Sequence, residues 1–287
     1  MKSKQNKTKQ TPHTTTKNTT TATTTTTTTP TMKTSARYSL SSLLAFFLAA
    51  VLLCSHTCSG RKSSRDVPHN HQGLLQPYEA GPFTSLKLDK NDEKTLDGGK
   101  PVMTQIREGD SLEGTSICVQ DVEAPKEAVW SQILDLDSYK GKVPKVSNCK
   151  NYVAKLNEDG TSTMKTEMSV KVLPGYGYTS FYDHTFNPTK SSMTWRLDYE
   201  KSSDFDDVAG HWHLEDHPTK QGCTRVFYAC DIKLKGSVPG PVVNFVSKSA
   251  LKAATGWVKK ESEKNPNGTV NLPFVDKNKM NPPVATE

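Results

Sequence analysis

Between Asn148 and Leu234 the chain is almost entirely short alternating segments separated by turns, which leaves no room for the crossover helices a parallel sheet requires. Thr163–Val172 is the clearest case. Met164, Thr166, Met168, Val170 and Val172 fall on one face, while Lys165, Glu167 and Lys171 fall on the other. Asn157-Glu158-Asp159-Gly160 is a hairpin turn joining this strand to one over Asn148–Leu156. Further strands are predicted over Tyr178–Phe186, Met193–Tyr199, Gly210–Asp216 and Thr224–Leu234, with turns at Leu173-Pro174-Gly175, Asn187-Pro188 and Pro218–Gly222.

Helices are confined to the ends of this block. A strand over Thr115–Val122 precedes Ala124-Pro125-Lys126-Glu127, where proline and an acid in the first turn open a helix carrying Val129, Trp130, Ile133 and Leu134. A second short helix ends before Pro144. After the last strand, Pro239 and Pro241 open a long helix whose face Val243, Val246, Ala250, Ala253 or Ala254 and Trp257 has a period near 3.6. The order strand, two helices, six strands, one long helix is that of an α+β fold with a curved antiparallel sheet of about seven strands. One helix cannot fill the concave face of so long a sheet, so a cavity is expected there.

The flanks differ from this block. Residues 1–60 hold seven of the 37 basic residues and none of the 30 acidic ones. The net charge of +7 therefore belongs to the leader, and the chain from Arg61 onward is balanced. No basic stripe remains to meet a phosphate backbone, which excludes nucleic acid as a partner. Residues 8–34 are threonine-rich and bury too little apolar surface to order, so they are read as disordered. The apolar run Leu43–Cys54, followed by Cys58-Ser59-Gly60, reads as a signal peptide that is short for a membrane span. Entry to the secretory pathway is expected; the alternative is an uncleaved signal anchor at about residues 40–54. Residues 61–111, broken by Pro68, Pro77, Pro82, Gly98 and Gly99, are expected to be a linker with a short strand near Val102–Ile106. Residues 265–287, rich in Pro and Asn, are expected to be an unstructured tail, with Asn267-Gly268-Thr269 as a glycosylation acceptor.

Four cysteines follow the leader: Cys118, Cys149, Cys223 and Cys230. In an oxidising compartment they permit disulfides, and Cys118 with Cys223 or Cys230 is the pair to test, against a reading of four buried thiols. No CxxC and no Cys/His spacing typical of zinc occurs, so no metal site and no cofactor are expected.

Val122-Glu123-Ala124-Pro125 with Val129-Trp130, Leu134–Tyr139, Val143-Pro144-Lys145-Val146, Gly210-His211-Trp212, Thr224–Tyr228 and the helix to Glu261 together resemble the START-like (SRPBCC) superfamily, in its coenzyme Q-binding and polyketide cyclase-type forms. The resemblance covers residues 112–264. It implies a helix-grip fold, a sheet wrapped around a long C-terminal helix, enclosing a cavity for a lipid, an isoprenoid or quinone, or another small hydrophobic ligand. It also implies the possibility of transient membrane contact, and it leaves the reaction open, because one fold hosts many functions. A secretory leader departs from what a mitochondrial quinone-binding protein carries and counts against coenzyme Q itself.

Period-2 alternation places Met168, Val170, Tyr182, His184, Trp195, Leu197, Trp212 and Tyr228 toward the cavity, joined by Phe245 or Val246 from the helix. His211 and His213 take the opposite face of their strand and are expected to meet water. No activated nucleophile, paired carboxylates or phosphate-cradling loop is present, so no catalytic residue is assigned and noncatalytic ligand binding is the expected function. The alternative is a cyclase or dehydrase-type enzyme, for which His184 would be the base and Tyr182 or Tyr228 the donor to an enolate. Met32-Lys33-Thr34-Ser35-Ala36-Arg37 is a complete positive n-region, so translation is expected to start at Met32. Peptide mass spectrometry of the native protein should then find nothing from residues 1–31.

Overall fold

The computed structural model describes residues 65–107, 114–173, 176–236 and 250–280, all within one compact unit spanning Lys62–Glu287. The threonine tract, the expected signal peptide and residues 237–249, where the long C-terminal helix is expected to begin and which include Phe245, lie outside the described residues.

In chain order the elements are α1 (Lys90–Asp97), β1 (Val102–Arg107), β2 (Gly114–Val122), α2 (Lys126–Ile133), a 3-10 turn (Leu136–Ser138), α3 (Tyr139–Lys142), β3 (Val146–Leu156), β4 (Ser162–Leu173), β5 (Tyr176–Asn187), β6 (Ser192–Leu197), β7 (Phe205–Asp216), β8 (Thr224–Leu234), α4 (Ala250–Lys264) and α5 (Lys277–Met280). The eight strands form one antiparallel sheet in the order β1-β2-β8-β7-β6-β5-β4-β3. Consecutive strands from β3 to β8 are neighbours, and β2 joins β8, so the chain's first strands close beside its last. Register shifts in β3, near the end of β4 and at Phe205/Asp207 in β7 bend the sheet locally. Helix α4 packs against β2, β8 and α2, with Trp257 and Val258 buried in the main core. This is the expected helix-grip architecture, and the short strand expected near Val102–Ile106 joins the sheet as its eighth strand, β1.

The principal difference lies in the segment expected to be a linker. The sheet's outer face carries a second apolar cluster of Val102, Ile117, Val119, Phe227 and Ala229. Residues 65–97 cover it: Leu96 of α1 is buried there, and Tyr78, Phe83, Leu86 and Leu88 pack around it. A capping box at Asp89, which accepts the N–H groups of Asn91 and Asp92, starts α1. Upstream, the chain is tied down as a strap by polar bonds. Buried Asp207 accepts the N–H groups of Leu74 and Leu75 at 2.5 and 2.7 Å, and Ser192 Oγ accepts that of Gly81 at 2.9 Å. Arg65 forms a paired contact with Asp204 at 2.7 and 3.1 Å. Proline and glycine in this stretch break long elements without preventing burial, which composition alone does not reveal.

The strap also overturns the expectation that His211 and His213 meet water. The alternation is as expected, with Trp212 and Leu214 inward, but both histidines are buried beneath the strap, His211 against the rings of Tyr78 and Phe83. The tail differs too. Val270 and Val275 belong to the main core, and Ser162 Oγ donates to the carbonyl of Phe274. Asn267 is exposed in the turn after α4. All four cysteines after the leader are free thiols. Cys118 stands opposite Tyr228 in the β2–β8 register, so Cys223 lies five residues along the sheet, about 16 Å away. That separation rules out a Cys118–Cys223 bridge without moving the backbone. Cys230 is the diagonal neighbour of Cys118, whose Sγ instead meets Thr255 Oγ1 at 3.2 Å.

A buried ionic cluster joins α1 to the sheet. Arg225 Nε and Nη2 donate to the two carboxylate oxygens of Asp121 at 2.8 and 3.0 Å, while Nη1 and Nη2 reach Glu93 at 2.8 Å each. His217 Nε2 lies 3.0 Å from the same Asp121. Removing the guanidinium would strand the Asp121 carboxylate in the interior. Arg225→Ala is expected to lower stability by about 3–5 kcal/mol in chemical denaturation. A loss under about 1 kcal/mol would show the cluster to be a solvated surface network instead.

Candidate functional site

The inner faces of β4 to β8 line a cavity of about 180 Å³, closed by Leu136 of the 3-10 turn, Tyr139 of α3 and Val143 just after it, and Ala254 and Trp257 of α4. Alternation supplies the wall. Met168 and Val170 come from β4, Tyr178, Tyr182 and His184 from β5, Met193 and Trp195 from β6, Phe205, Val208 and Trp212 from β7, and Tyr228, Cys230 and Ile232 from β8. No Asp, Glu, Lys or Arg is among these residues.

Of the nine sequence-predicted residues, seven line this cavity: Met168, Val170, Tyr182, His184, Trp195, Trp212 and Tyr228. Leu197 points to the same side opposite Tyr182 but is fully buried in the core and does not line the cavity. Phe245 lies outside the described residues. Tyr178, Met193, Cys230 and Ile232 share the parity of the residues chosen and were available to the same argument. Tyr139 and Val143 were not. Their placement depends on a break in α3, where Lys140 has ψ 115° and Gly141 has φ 96°, a left-handed conformation suited to glycine.

The aromatic wall depends on one missing side chain. Trp195 crosses Gly210 on the neighbouring strand so closely that a Cβ there would sit 2.0 Å from the indole. With that space open, Trp195 stacks on Tyr228 at 5.7 Å between ring centroids, and Tyr228 meets Trp212 at 4.2 Å. Tyr178 stacks on Phe205 at 4.6 Å, and Tyr139 packs edge-on to Trp257 at 4.9 Å.

His184 is the principal polar group. Its Nδ1 lies 3.2 Å from the carbonyl oxygen of Met164 on the paired strand. A carbonyl only accepts, so Nδ1 carries the proton and Nε2 keeps its lone pair. Nε2 has no hydrogen-bond partner among the described residues. Burial holds the imidazole neutral, lowering its pKa to about 4 against the smaller opposing effect of the Met164 bond. Burial likewise pushes the Tyr182 and Tyr228 phenols above their ordinary value, so both remain donors, and pushes the Cys230 thiol up to about 12. A thiol held protonated is not a nucleophile. The site thus combines neutral donors, one neutral acceptor and an apolar aromatic wall.

A second constellation has the order of a nucleophile, base and acid. Ser192 Oγ lies 2.9 Å from His213 Nδ1, and His213 Nε2 lies 3.2 Å from Glu215. Ser192 is fully buried under the strap and is already bonded to Gly81, so no substrate reaches it. These groups hold the strap.

No family model matches the chain, and no curated protein matches it. Among solved structures, a START superfamily protein from Mycobacterium smegmatis is similar at 18% identity and TM-score 0.43, covering 52% of this chain and 97% of its own. The Zhui aromatase/cyclase from Streptomyces sp. R1128 is similar at 15% identity and TM-score 0.43, covering 57% of this chain and 95% of its own. Human STARD10 is similar at 15% identity and TM-score 0.41, covering 65% and 84%. The START-like, helix-grip reading stands on the chain's own strand order and on the helix packed against β2 and β8.

Two buried imidazoles make the fold sensitive to acid. Burial lowers His184 to about 4 and His211 to about 3, the latter with the His213 ring adding to the effect. In the unfolded chain both regain pKa values near 6.5. Below about pH 6.5 the unfolded chain therefore binds more protons, and stability falls as pH drops toward the folded values, by up to about 1.4 kcal/mol per pH unit for each group. Denaturant melts at about pH 7 and about pH 5 should show this slope, and His211→Gln should remove roughly half of what the two contribute. An unchanged slope in that variant would mean that His211 takes up its proton in the folded protein as readily as in the unfolded chain.

Proposed function

We propose that this protein binds a small, uncharged hydrophobic ligand in the helix-grip cavity and performs no chemistry on it. The observation carrying this reading is the lining: among the described residues it is an aromatic and aliphatic wall without a single ionised side chain, holding a neutral imidazole acceptor and tyrosine donors. A carboxylate or phosphate placed there would have to shed its water without a counter-charge, which is costly. A hydroxyl, carbonyl or phenol on an apolar body suits it, since His184 Nε2 accepts from a hydroxyl and a tyrosine donates to a carbonyl. Isoprenoid, sterol-like and quinone-like compounds belong to that class. A cavity of 180 Å³ is small for a diacyl lipid. Loading by brief contact with a membrane surface and delivery through the secretory pathway, as the leader suggests, complete the reading.

The enzymatic alternative requires a base. At a pKa of about 4, His184 is a weak one near neutrality, and the Cys230 thiol stays protonated. The same neutrality makes His184 a good recognition group.

Organic extraction and native mass spectrometry of the purified full chain should yield a neutral apolar guest. Ala254→Phe, which fills the cavity from α4, should abolish its retention. His184→Leu should weaken a hydroxyl-bearing guest by about tenfold, the worth of one buried hydrogen bond. An anionic guest, or retention unaffected by Ala254→Phe, would remove the proposal.

A further inference from the structure

Where the strap meets the start of β7, three metal-ligating side chains converge from opposite parts of the sequence. One ring nitrogen each from His69 and His71 and a carboxylate oxygen of Asp206 lie within 4.8 Å of one another. We propose that His69, His71 and Asp206 bind a divalent transition-metal ion of the zinc class, and that the ion clasps the strap to β7.

The donor set is the first argument. Two imidazoles and a carboxylate are ligands that zinc and its borderline neighbours accept, whereas calcium and magnesium prefer oxygen alone. Asp206 follows the lining residue Phe205, but none of the three ligands lines the cavity, so the site does not depend on what the cavity holds.

The second argument is an unsatisfied atom. His71 Nδ1 accepts the Gly73 N–H at 3.1 Å, while Nε2 is buried and has no hydrogen-bond partner, standing 3.6 Å from Asp206 Oδ1. That distance is too long for a hydrogen bond, and a buried polar atom left in this way calls for an ion or water between the two groups. A metal bonded to both would sit about 2 Å from each, which a separation of 3.6 Å allows. Coordination at Nε2 moves the ring proton to Nδ1, and the exposed Gly73 N–H then turns to water.

The third is support from the surrounding main chain. His69 Nε2 is 2.8 Å from the carbonyl oxygen of Asp206, the kind of outer contact that orients metal-binding histidines, and its Nδ1, which accepts the Ser203 N–H at 3.4 Å, exchanges that long bond for the ion. The His69 N–H is itself bonded to the Tyr199 carbonyl at 2.9 Å, and the two histidine rings meet edge-on at 4.7 Å. His71 and Asp206 retain 16% and 22% side-chain exposure, which gives the ion an approach and leaves a fourth coordination position for water. Because 135 residues separate His71 from Asp206, an ion bridging them ties a long loop, and metal binding becomes linked to docking of the strap.

Calorimetric titration of the full chain with Zn2+ tests this, beside His71→Ala and Asp206→Asn. The wild type should bind one equivalent more than either variant. Histidines and cysteines of the leader contribute equally to all three proteins and cancel. At a hundredfold excess of free Zn2+ over the dissociation constant, the melting temperature of the wild type should rise by roughly 5–10 °C. Both variants should lose that rise while melting within about 2 °C of the wild type without metal, which separates a lost ligand from a damaged fold. Equal stoichiometry in all three proteins, or a zinc-induced rise that survives in both variants, would overturn the site.

Discussion

Both faces of the sheet are apolar where β2 meets β8, and a sheet of this kind must be covered twice. The inner side chains, Val122, Val226 and Tyr228 among them, face the helices and the cavity; the outer ones, Ile117, Val119, Phe227 and Ala229, require another layer. Among the described residues, the helices that follow β2 lie on the concave side, and the segment before β1 covers the other face. The strap, α1, the ionic cluster around Arg225 and the histidines beneath the strap all follow from that requirement. The cavity depends on it as well, because β7 and β8 carry its wall on one face and the strap's anchors on the other.

Much of the inner face was legible from the sequence. Alternation depends only on the geometry of an extended chain, so the parity of Met168, Tyr182, His184, Trp195, Trp212 and Tyr228 could be read without knowing any partner strand. The outer face was not legible in the same way. Alternation told where His211 and His213 point but could not tell what lies over them. The covering segment has no regular period beyond α1 and is anchored by bonds such as Gly81 to Ser192, which join residues more than a hundred positions apart. The tail was misjudged for a related reason: Val270, Leu272, Phe274 and Val275 stand amid Pro and Asn in a short stretch, and only the surface they meet packs them. Leu197 shows a finer limit, since parity separates inside from outside without distinguishing packed core from cavity wall.

The electrostatic division of the molecule follows burial in the same way. The ionised groups with partners, Asp121 with Arg225 and Asp207 with the strap's N–H groups, are on the outer face or at its margins. The described residues that line the cavity on the inner face carry polar atoms that are neutral, with His184 held so by its surroundings. Among the described residues the lining has no fixed charge, so a guest held there as proposed would be selected by shape and by one or two hydrogen bonds, against the aromatic contours that Gly210 makes possible.

The coverage of the outer face also decides where this protein can be cut. A fragment beginning at residue 112, where the resemblance to START-like sequences begins, would keep the cavity but lose β1 and the strap. Its β2 would become a bare edge with free backbone donors and acceptors, and Ile117, Val119 and Phe227 would form a contiguous greasy plate beside it. Such a surface recruits its own copies. The smallest soluble unit of this chain is therefore longer than its recognisable one.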